Sequence, residues 1–205
     1  MLQSQLQKVS YIIGLDIGRN LANQGIEIEA QALSAGVADA LSDAEPKLSE
    51  AEVQSIMTAF QTEMEAKQAD LKSVESDKNV ADGKAFLEIN RMKDGVVTLA
   101  SGLQYREVKT GSGKSPKASD KVTTHYKGTL IDGTVFDSSY DRGEPATFPV
   151  NGVIAGWTEA LQLMKEGSVW ELFIPANLAY GTRGAGAKIG PNATLVFTVE
   201  LLNVH

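Results

Sequence analysis

The sequence contains no cysteine and only two histidines, His125 and His205. Without cysteine, the chain cannot form a disulfide framework, a thiolate metal site or a thiol nucleophile. Two histidines give little support to a histidine-based zinc site, and no Gly-x-Ser-x-Gly segment indicates a Ser-His-Asp triad. We therefore expect a protein that uses neither a metal nor a cofactor.

Basic residues and long apolar runs are also scarce. The 19 Lys and Arg are outnumbered by 26 Asp and Glu, which gives a net charge of −7. An acidic chain without a basic stripe argues against nucleic acid and anionic membrane surfaces as partners. No stretch reaches the roughly 18 apolar residues that a membrane span requires.

The segment from Val9 to Ile17 is fairly apolar, but it lacks the features of a signal peptide. Gly14 and Asp16 interrupt the run, and the residues before it are mostly Gln and Ser instead of basic. A signal peptide has a basic start and a continuous apolar region. The sequence therefore predicts a cytoplasmic protein, or a periplasmic one only if a leader was removed before residue 1.

Proline is nearly absent from the first half of the chain, where only Pro46 occurs, and this half is predicted to be helical. Apolar residues recur at helical spacing over residues 2–23 and 29–42. A capping box at residues 49–52 begins a third helix. With no further proline, we expect that helix to reach about residue 92. A break near Asp82-Gly83 is the alternative.

The first helix has apolar side chains on two faces, so it must be covered on two sides. Gly14 and Gly18 either permit close approach of another backbone or are simply weak helix positions. The simplest closure is a symmetric homodimer made by the N-terminal helices. We thus predict a helical dimerisation domain over residues 1–48, completed by the start of the third helix. A long connecting helix over 49–95 and a second domain over 96–205 follow.

The second half contains short strands, of which residues 122–139 are the most informative. Apolar and polar residues alternate from Val122 to Leu130, as in a half-buried strand, and Asp132-Gly133 predicts a hairpin with a tight primed turn. The next strand then places Phe136 and Asp137 beside Tyr126. By itself, this pattern indicates an ordinary hairpin in an antiparallel core.

Further strands and one amphipathic helix, over residues 157–165, complete the predicted second domain. Alternating segments occur at 103–108, 146–150, 170–174 and 195–202. One helix against an antiparallel sheet is an α+β arrangement. The predicted fold class is therefore α+β, with an all-helical N-terminal domain, a long connecting helix and a C-terminal antiparallel sheet wrapped around one short helix.

Five separated motifs in this half together resemble the FKBP family of peptidyl-prolyl cis–trans isomerases. They are the hairpin, residues 153–157, Ile174-Pro175, residues 179–181 and residues 192–202. The resemblance covers residues 103–205. The whole architecture is similar to that of the Mip-like dimeric FKBPs of bacteria, at the level of pattern in the N-terminal half.

This resemblance implies an apolar pocket with Trp157 as its floor. Its walls would be Tyr126, Phe136, Val153, Ile154 and Phe197. The backbone N–H of Ile154 and the hydroxyl of Tyr180 would hold substrate carbonyls. Asp137 would be a polar anchor tied to Arg142, and Phe148 and Ile189 would be further contacts for substrate or inhibitor. For each aromatic residue alone, plain core packing is the alternative.

Two positions depart from the family pattern, and His125 has no role in it. Ala146 stands where an aromatic wall is common, which predicts a more open pocket on that side. The loop over residues 182–190 lacks the His-Pro often found there. Strand alternation points His125 away from Tyr126, so we expect a partly exposed or hydrogen-bonded histidine.

The function that the resemblance implies is isomerisation of Xaa–Pro bonds, which accelerates proline-limited protein folding. The N-terminal dimer would add chaperone-like binding of clients. Its partners would be Xaa–Pro segments of unfolded or partly folded proteins, with tacrolimus or rapamycin as inhibitors. The alternative is a non-catalytic chaperone clamp or adaptor with a residual isomerase-like pocket.

Overall fold

The computed structural model describes residues 2–205; Met1, the first residue of the predicted dimerisation domain, lies outside them. Residue contacts divide the chain into two compact units, one ending at Gln61 and the other running from Thr62 to His205. Among the described residues, no helix has both the length and the apolar character needed to cross a membrane.

The first unit consists of helices α1, α2 and the start of α3. Helix α1 spans Gln5–Asn23 and α2 spans Ala30–Leu41. Helix α1 begins later than predicted because Ser4 caps it: its side chain accepts a hydrogen bond from Gln7 N–H, and the Gln7 side chain bonds back. None of residues 2–61 is buried, so this unit has no core of its own within one chain.

Helix α3 spans Glu50–Asn90 without interruption, which confirms the continuous long helix. Its start is the predicted capping box, in which Ser49 N–H donates to Glu52 Oε2 at 2.9 Å. Gly83 does not break it, because the missing side chain is what lets the helix lie against Thr194: a Cβ at this position would overlap the Thr194 hydroxyl. The close contact with Thr194 thus explains why a glycine, which is unfavourable inside a helix, occupies this position.

The second unit is built on one seven-stranded antiparallel sheet. The strands are β1 (Val96–Thr98), β2 (Gln104–Lys109), β3 (Lys121–Leu130), β4 (Val135–Ser138), β5 (Ala146–Pro149), β6 (Val169–Ile174) and β7 (Leu195–Val204). Their order is β1-β2-β6-β7-β3-β4, and β5 also pairs with β3. The predicted strands are all present, and β1 is an additional short edge strand.

Helix α5 (Ala155–Leu163) packs on the sheet and forms the core with it. Its apolar face is buried through Trp157, Ala160 and Leu161, and Met164, directly after its last residue, is buried as well. A second helix, α4, is a single turn at Ser139–Arg142. The predicted α+β arrangement, with the sheet around one short helix, is therefore confirmed.

The hairpin between β3 and β4 is present, but the predicted primed turn is wrong. Leu130 N–H bonds to Thr134 O at 2.9 Å, and Gly133 N–H bonds to Leu130 O at 3.0 Å. The loop therefore has three residues, and only its last, Gly133, has a positive φ, of 89°. A type I turn followed by a left-handed residue is the usual three-residue alternative. The Asp132 carboxylate accepts from Thr134 N–H, which favours this form.

Candidate active site

A pocket of about 810 Å³ lies where α5 meets β3, β4 and β7. Its centre is the ring of Trp157, which is only 4% exposed. The rings of Tyr126 and Phe197 stand edge-on to this indole with centroids 5.3 Å away, and Phe148 does so at 6.0 Å. Edge-to-face contacts of this kind are favourable for aromatic pairs. We call the apolar depression formed by Trp157, Tyr126, Phe148 and Phe197 the Trp157 cup.

Phe136 reaches the same cup because Gly128 on β3 has no side chain. The Phe136 ring stands edge-on to Phe197 at 5.4 Å. A Cβ at position 128 would come within 2.5 Å of the Phe136 ring and 2.7 Å of the Phe197 ring. Sequence reasoning counted Gly128 only as one position of an alternating strand. A glycine inside a strand is, however, a recognised sign of close approach.

The polar edge of the pocket consists of Tyr126, Asp137 and Arg142. Tyr126 Oη donates to Asp137 Oδ2 at 2.6 Å, Arg142 Nη2 donates to Tyr126 Oη at 2.8 Å, and Arg142 also pairs directly with Asp137. The guanidinium lies over the Tyr126 ring, 5.4 Å from its centroid. Helix α4 brings Arg142 back to the pocket, since Ser138 caps its start and Gly143 ends it in the left-handed conformation.

These contacts shift the ionisation of the carboxyl and of the phenol in opposite directions. Partial burial by itself raises the pKa of Asp137, but the Tyr126 and Arg142 hydrogen bonds and the Arg142 charge outweigh it, so the pKa lies below its ordinary 3.8. Burial raises the pKa of Tyr126 above its ordinary 10.0; Asp137 adds to the rise, and Arg142 opposes it. At neutral pH the edge therefore holds a carboxylate, a phenol and a guanidinium.

Ile154 and Tyr180 also line the pocket, and neither is fully buried. Ile154 is the N-cap of α5, so it directly precedes the N–H groups of the first turn, which lack helical partners. Among residues 2–205, its own N–H donates to no protein acceptor. Tyr180 is 40% exposed and directly precedes the loop whose residues 185–189 also line the pocket. Both groups can therefore meet the carbonyls of a bound chain.

The loop after Tyr180 supplies more of the wall than the sequence indicated. Ala185 and Ile189 pair as a small antiparallel bridge, and all residues from 185 to 189 line the pocket. Lys188 Nζ donates to Val135 O at 3.0 Å, across to the start of β4. Sequence reasoning identified Ile189 alone. Three glycines of this loop, Gly181, Gly184 and Gly186, have positive φ and are a signal of tight turns in the sequence.

Two family models match the chain. The model described as FKBP-type peptidyl-prolyl cis-trans isomerase matches residues 112–202, and the model described as the domain amino terminal to FKBP-type peptidyl-prolyl isomerase matches residues 6–106. A Legionella longbeachae protein named Outer membrane protein MIP is 49% identical over 203 residues, which cover 99% of this chain and 87% of that protein. The chain belongs to the FKBP-type peptidyl-prolyl cis–trans isomerases.

Other relatives agree with this placement. The FKBP-type 22 kDa peptidyl-prolyl cis-trans isomerase of Escherichia coli is 48% identical over 198 residues, covering 96% of this chain and 94% of that protein. The crystal structure of FkpA from Escherichia coli matches with a TM-score of 0.79 at 42% identity, covering 100% of this chain and 98% of that one. The predicted Mip-like bacterial subtype is thus confirmed, and the enzyme isomerises peptide bonds that precede proline. The name of the Legionella protein does not support the predicted cytoplasmic location.

In this FKBP-type isomerase, every predicted site residue except Arg142 lines the pocket. These are Tyr126, Phe136, Asp137, Phe148, Val153, Ile154, Trp157, Tyr180, Ile189 and Phe197. Arg142 lies outside the lining and hydrogen-bonds two of its members. Their individual roles in turnover stay predictions. Gly152 and residues 185–188 are lining residues that the sequence did not indicate.

The two remaining predictions concern Ala146 and His125. Ala146 is outside the lining and pairs with Thr124, while Phe148, two residues further along β5, supplies the aromatic wall of that strand. His125 is also outside the pocket, as expected from alternation. Its Nδ1 lies 2.9 Å from Ser139 Oγ, and its ring stacks on Tyr140 at 4.7 Å.

Proposed function

We propose that this isomerase turns Xaa–Pro bonds in the cup above Trp157 and thereby accelerates proline-limited protein folding. The observation that supports this most directly is the composition of the pocket: six aromatic side chains and few polar groups surround a volume of about 810 Å³. Rotation of the bond has a barrier of about 18–20 kcal/mol, set by amide resonance. No covalent bond breaks, so the reaction requires no nucleophile.

An apolar pocket lowers this barrier because of how charge changes during rotation. The planar amide has a charge-separated resonance form, which water stabilises, whereas the twisted amide is less polar. A dry site therefore favours the twisted state over the planar one, and only such differential stabilisation accelerates a reaction. In this proposal the Trp157 cup receives the proline ring, while Phe136 and Phe197 exclude water from the amide.

The polar groups hold the neighbouring parts of the chain while the bond turns. The Ile154 N–H and the Tyr180 hydroxyl would each bind a substrate carbonyl. Asp137 would fix the Tyr126 ring through its hydrogen bond and accept contacts from the substrate backbone. Fixed groups of this kind contribute through orientation, because they do not reorganise during the reaction.

We further propose that the chain acts as a homodimer joined by its N-terminal helices. Large apolar side chains along α1, among them Leu6, Ile12 and Ile13, are more than half exposed in a single chain. A Cβ at Gly14 or Gly18 would meet nothing within 4 Å in the chain itself. Small units with uncovered apolar surface usually associate, and a two-fold dimer is the commonest solution. The same apolar surface is suited to bind partly folded clients.

The experiment that tests the function is a peptide isomerisation assay on the whole protein, using a chromogenic Phe-Pro tetrapeptide, with and without tacrolimus. We expect isomerisation much faster than in buffer alone, and inhibition by the drug. Phe136→Leu should lower kcat/KM and weaken drug binding. Phe173→Leu is the matched control, because Phe173 packs on Phe86 and is not part of the pocket lining. Rates equal to those in buffer would leave the non-catalytic clamp as the better interpretation.

A further inference from the structure

The loop that closes the pocket is held from behind by helix α3. We call residues 181–192 the rim loop. Residues 186–189 line the pocket on one side, and on the other side they line a second cavity of about 490 Å³. The opposite wall of that cavity is α3, at Ala69, Lys72, Ser73, Glu75 and Ser76. The tip of the loop is thus a thin partition between the substrate pocket and the helix.

Two hydrogen bonds join α3 to the end of the rim loop. Asn79 Nδ2 donates to Pro191 O at 2.9 Å, and Asn192 Nδ2 donates to Ser76 Oγ at 2.7 Å. Both α3 side chains are half-buried. The loop approaches the helix so closely at Gly190 that a Cβ there would overlap the Glu75 carboxylate. Helix α3 and the rim loop are therefore closely packed, although they are more than 100 residues apart in sequence.

Apart from the Ile189 side chain, which is buried in the core, and Ala185, which packs against it, the rim loop is held mainly by hydrogen bonds. Ala185 and Ile189 bond to each other, and Asn192 N–H bonds back to Gly181 O at 2.8 Å, so these bonds are internal. Within residues 2–205, three hydrogen bonds join residues 184–192 to other elements, and two of these three are made with α3. The third is the bond from Lys188 to Val135 across the pocket. Gly184 and Gly186 add backbone freedom within the tip.

We propose that Ser76 and Asn79 are positioning residues for the isomerase reaction: from helix α3 they fix the rim loop and so set how tightly the pocket holds its peptide. The proposal rests on the pocket being the isomerase site. A wall that touches the peptide equally before and during rotation contributes uniform binding, which alters KM and leaves kcat nearly unchanged. The long helix thus belongs to the substrate-binding apparatus as well as connecting the two units.

The expected effect follows from the strength of these contacts. Losing one ordinary hydrogen bond changes an equilibrium by about two- to tenfold. We therefore expect KM for a Phe-Pro tetrapeptide to rise about three- to fivefold in Asn79→Ala and in Ser76→Ala. In the double variant the rise should be larger, with kcat within about twofold of the unsubstituted chain.

The measurement uses the full chain and follows peptide exchange by NMR over a range of peptide concentrations, which separates KM from kcat. Lys78→Ala is the control on the same turn, since Lys78 is exposed and pairs with Asp82 on its own helix. Ser76→Thr tests rescue, because it keeps the hydroxyl at a position that borders the cavity of about 490 Å³. A variant that is merely less folded would lower the active concentration, hence kcat, without changing KM.

Restoration of KM by Ser76→Thr, together with normal behaviour of Lys78→Ala, would support the proposal. Unchanged KM in the double variant would overturn it, as would a loss confined to kcat. If the unsubstituted chain shows no isomerase activity, the proposed function is wrong. If the chain is active but its KM is unchanged by the α3 substitutions, only the role of Ser76 and Asn79 is wrong.

Discussion

Asp137 has two partners, Tyr126 and Arg142, and it orders both at the edge of an apolar site. Its carboxylate and the Arg142 guanidinium are both about two-fifths exposed, so their direct attraction is screened by water and adds little to folding stability. The main effect of the Asp137–Arg142 pair is to position neighbouring groups. The pair fixes the Tyr126 hydroxyl, and through it a ring that stands 5.3 Å from Trp157.

The pH dependence of turnover should follow these ionisations. Since the pKa of Asp137 is below 3.8, its contribution is complete above that value and is lost as pH falls through the lowered pKa. The pKa of Tyr126 is above 10.0, so its donor proton is kept below that value and is lost as pH rises through the raised pKa. We expect kcat/KM to be flat between about pH 5 and pH 9.

Asp137→Asn tests whether protonation of Asp137 causes the expected fall of kcat/KM at low pH. We expect a plateau lower by about tenfold, because a charge-assisted hydrogen bond is replaced by a neutral one, and no further decline of kcat/KM on acidification until the protein unfolds. Circular dichroism at each pH separates unfolding from titration. A variant with the wild-type plateau would show that the carboxylate has no part in turnover.

Strand β3 contributes Tyr126 to the site and, through Gly128, leaves space for two further rings. Gly128→Ala should push the Phe136 and Phe197 rings out of place, because both lie closer than a methyl group permits. Overpacking of this kind costs about 1–3 kcal/mol of stability. We expect a lower melting temperature and a loss of kcat/KM in the fraction that remains folded.

Gly156→Ala is the comparison, since Gly156 is also packed tightly, against Ile174, but lies outside the pocket lining. It should lower the melting temperature similarly and leave KM unchanged. If both variants keep normal turnover per folded molecule, Gly128 is needed only for packing.

The elements that the sequence predicted best are those with a strong local pattern. Helix α5 shows its buried face directly, and the capping box at Ser49 marks the start of α3. The predicted primed turn at Asp132-Gly133 is wrong because the sequence pattern does not determine whether a hairpin loop has two or three residues. In the rim loop, the sequence indicates only Ile189 as a pocket residue, because the loop has no strong local pattern and its hydrogen-bond partners on α3 are more than 100 positions away.

The boundary between the two compact units lies inside α3, at Gln61 and Thr62. The part of α3 after it belongs with the sheet. Gln104 Nε2 donates to Leu87 O at 2.9 Å, Asn90 Nδ2 donates to Gln104 Oε1 at 3.0 Å, and both polar side chains are buried. A cut near residue 95 would leave Gln104 without these partners, so an isolated isomerase unit should begin near Thr62.

At the scale of the whole molecule, the apolar face of α1 should decide oligomeric state and action on protein clients together. Ile13 is 55% exposed in one chain, so Ile13→Glu costs little within that chain but places a charge in the proposed dimer contact. We expect this variant to sediment as a monomer. Leu71→Glu is the control, because Leu71 is 64% exposed on the later part of α3 and should leave the dimer intact.

The two kinds of substrate should then respond differently. A tetrapeptide occupies one pocket only, so its kcat/KM should be the same in both variants and in the unsubstituted chain. A partly folded protein can be held by the dimer while its prolines visit the pockets, and tethering of this kind raises effective affinity by about 10²–10⁴ in favourable cases. We therefore expect Ile13→Glu to be at least about tenfold poorer in accelerating a proline-limited refolding reaction. A dimeric Ile13→Glu protein would refute the assignment of the interface. A monomer with full refolding activity would instead refute the joint action of the two pockets, because one pocket would then suffice for proteins as it does for peptides.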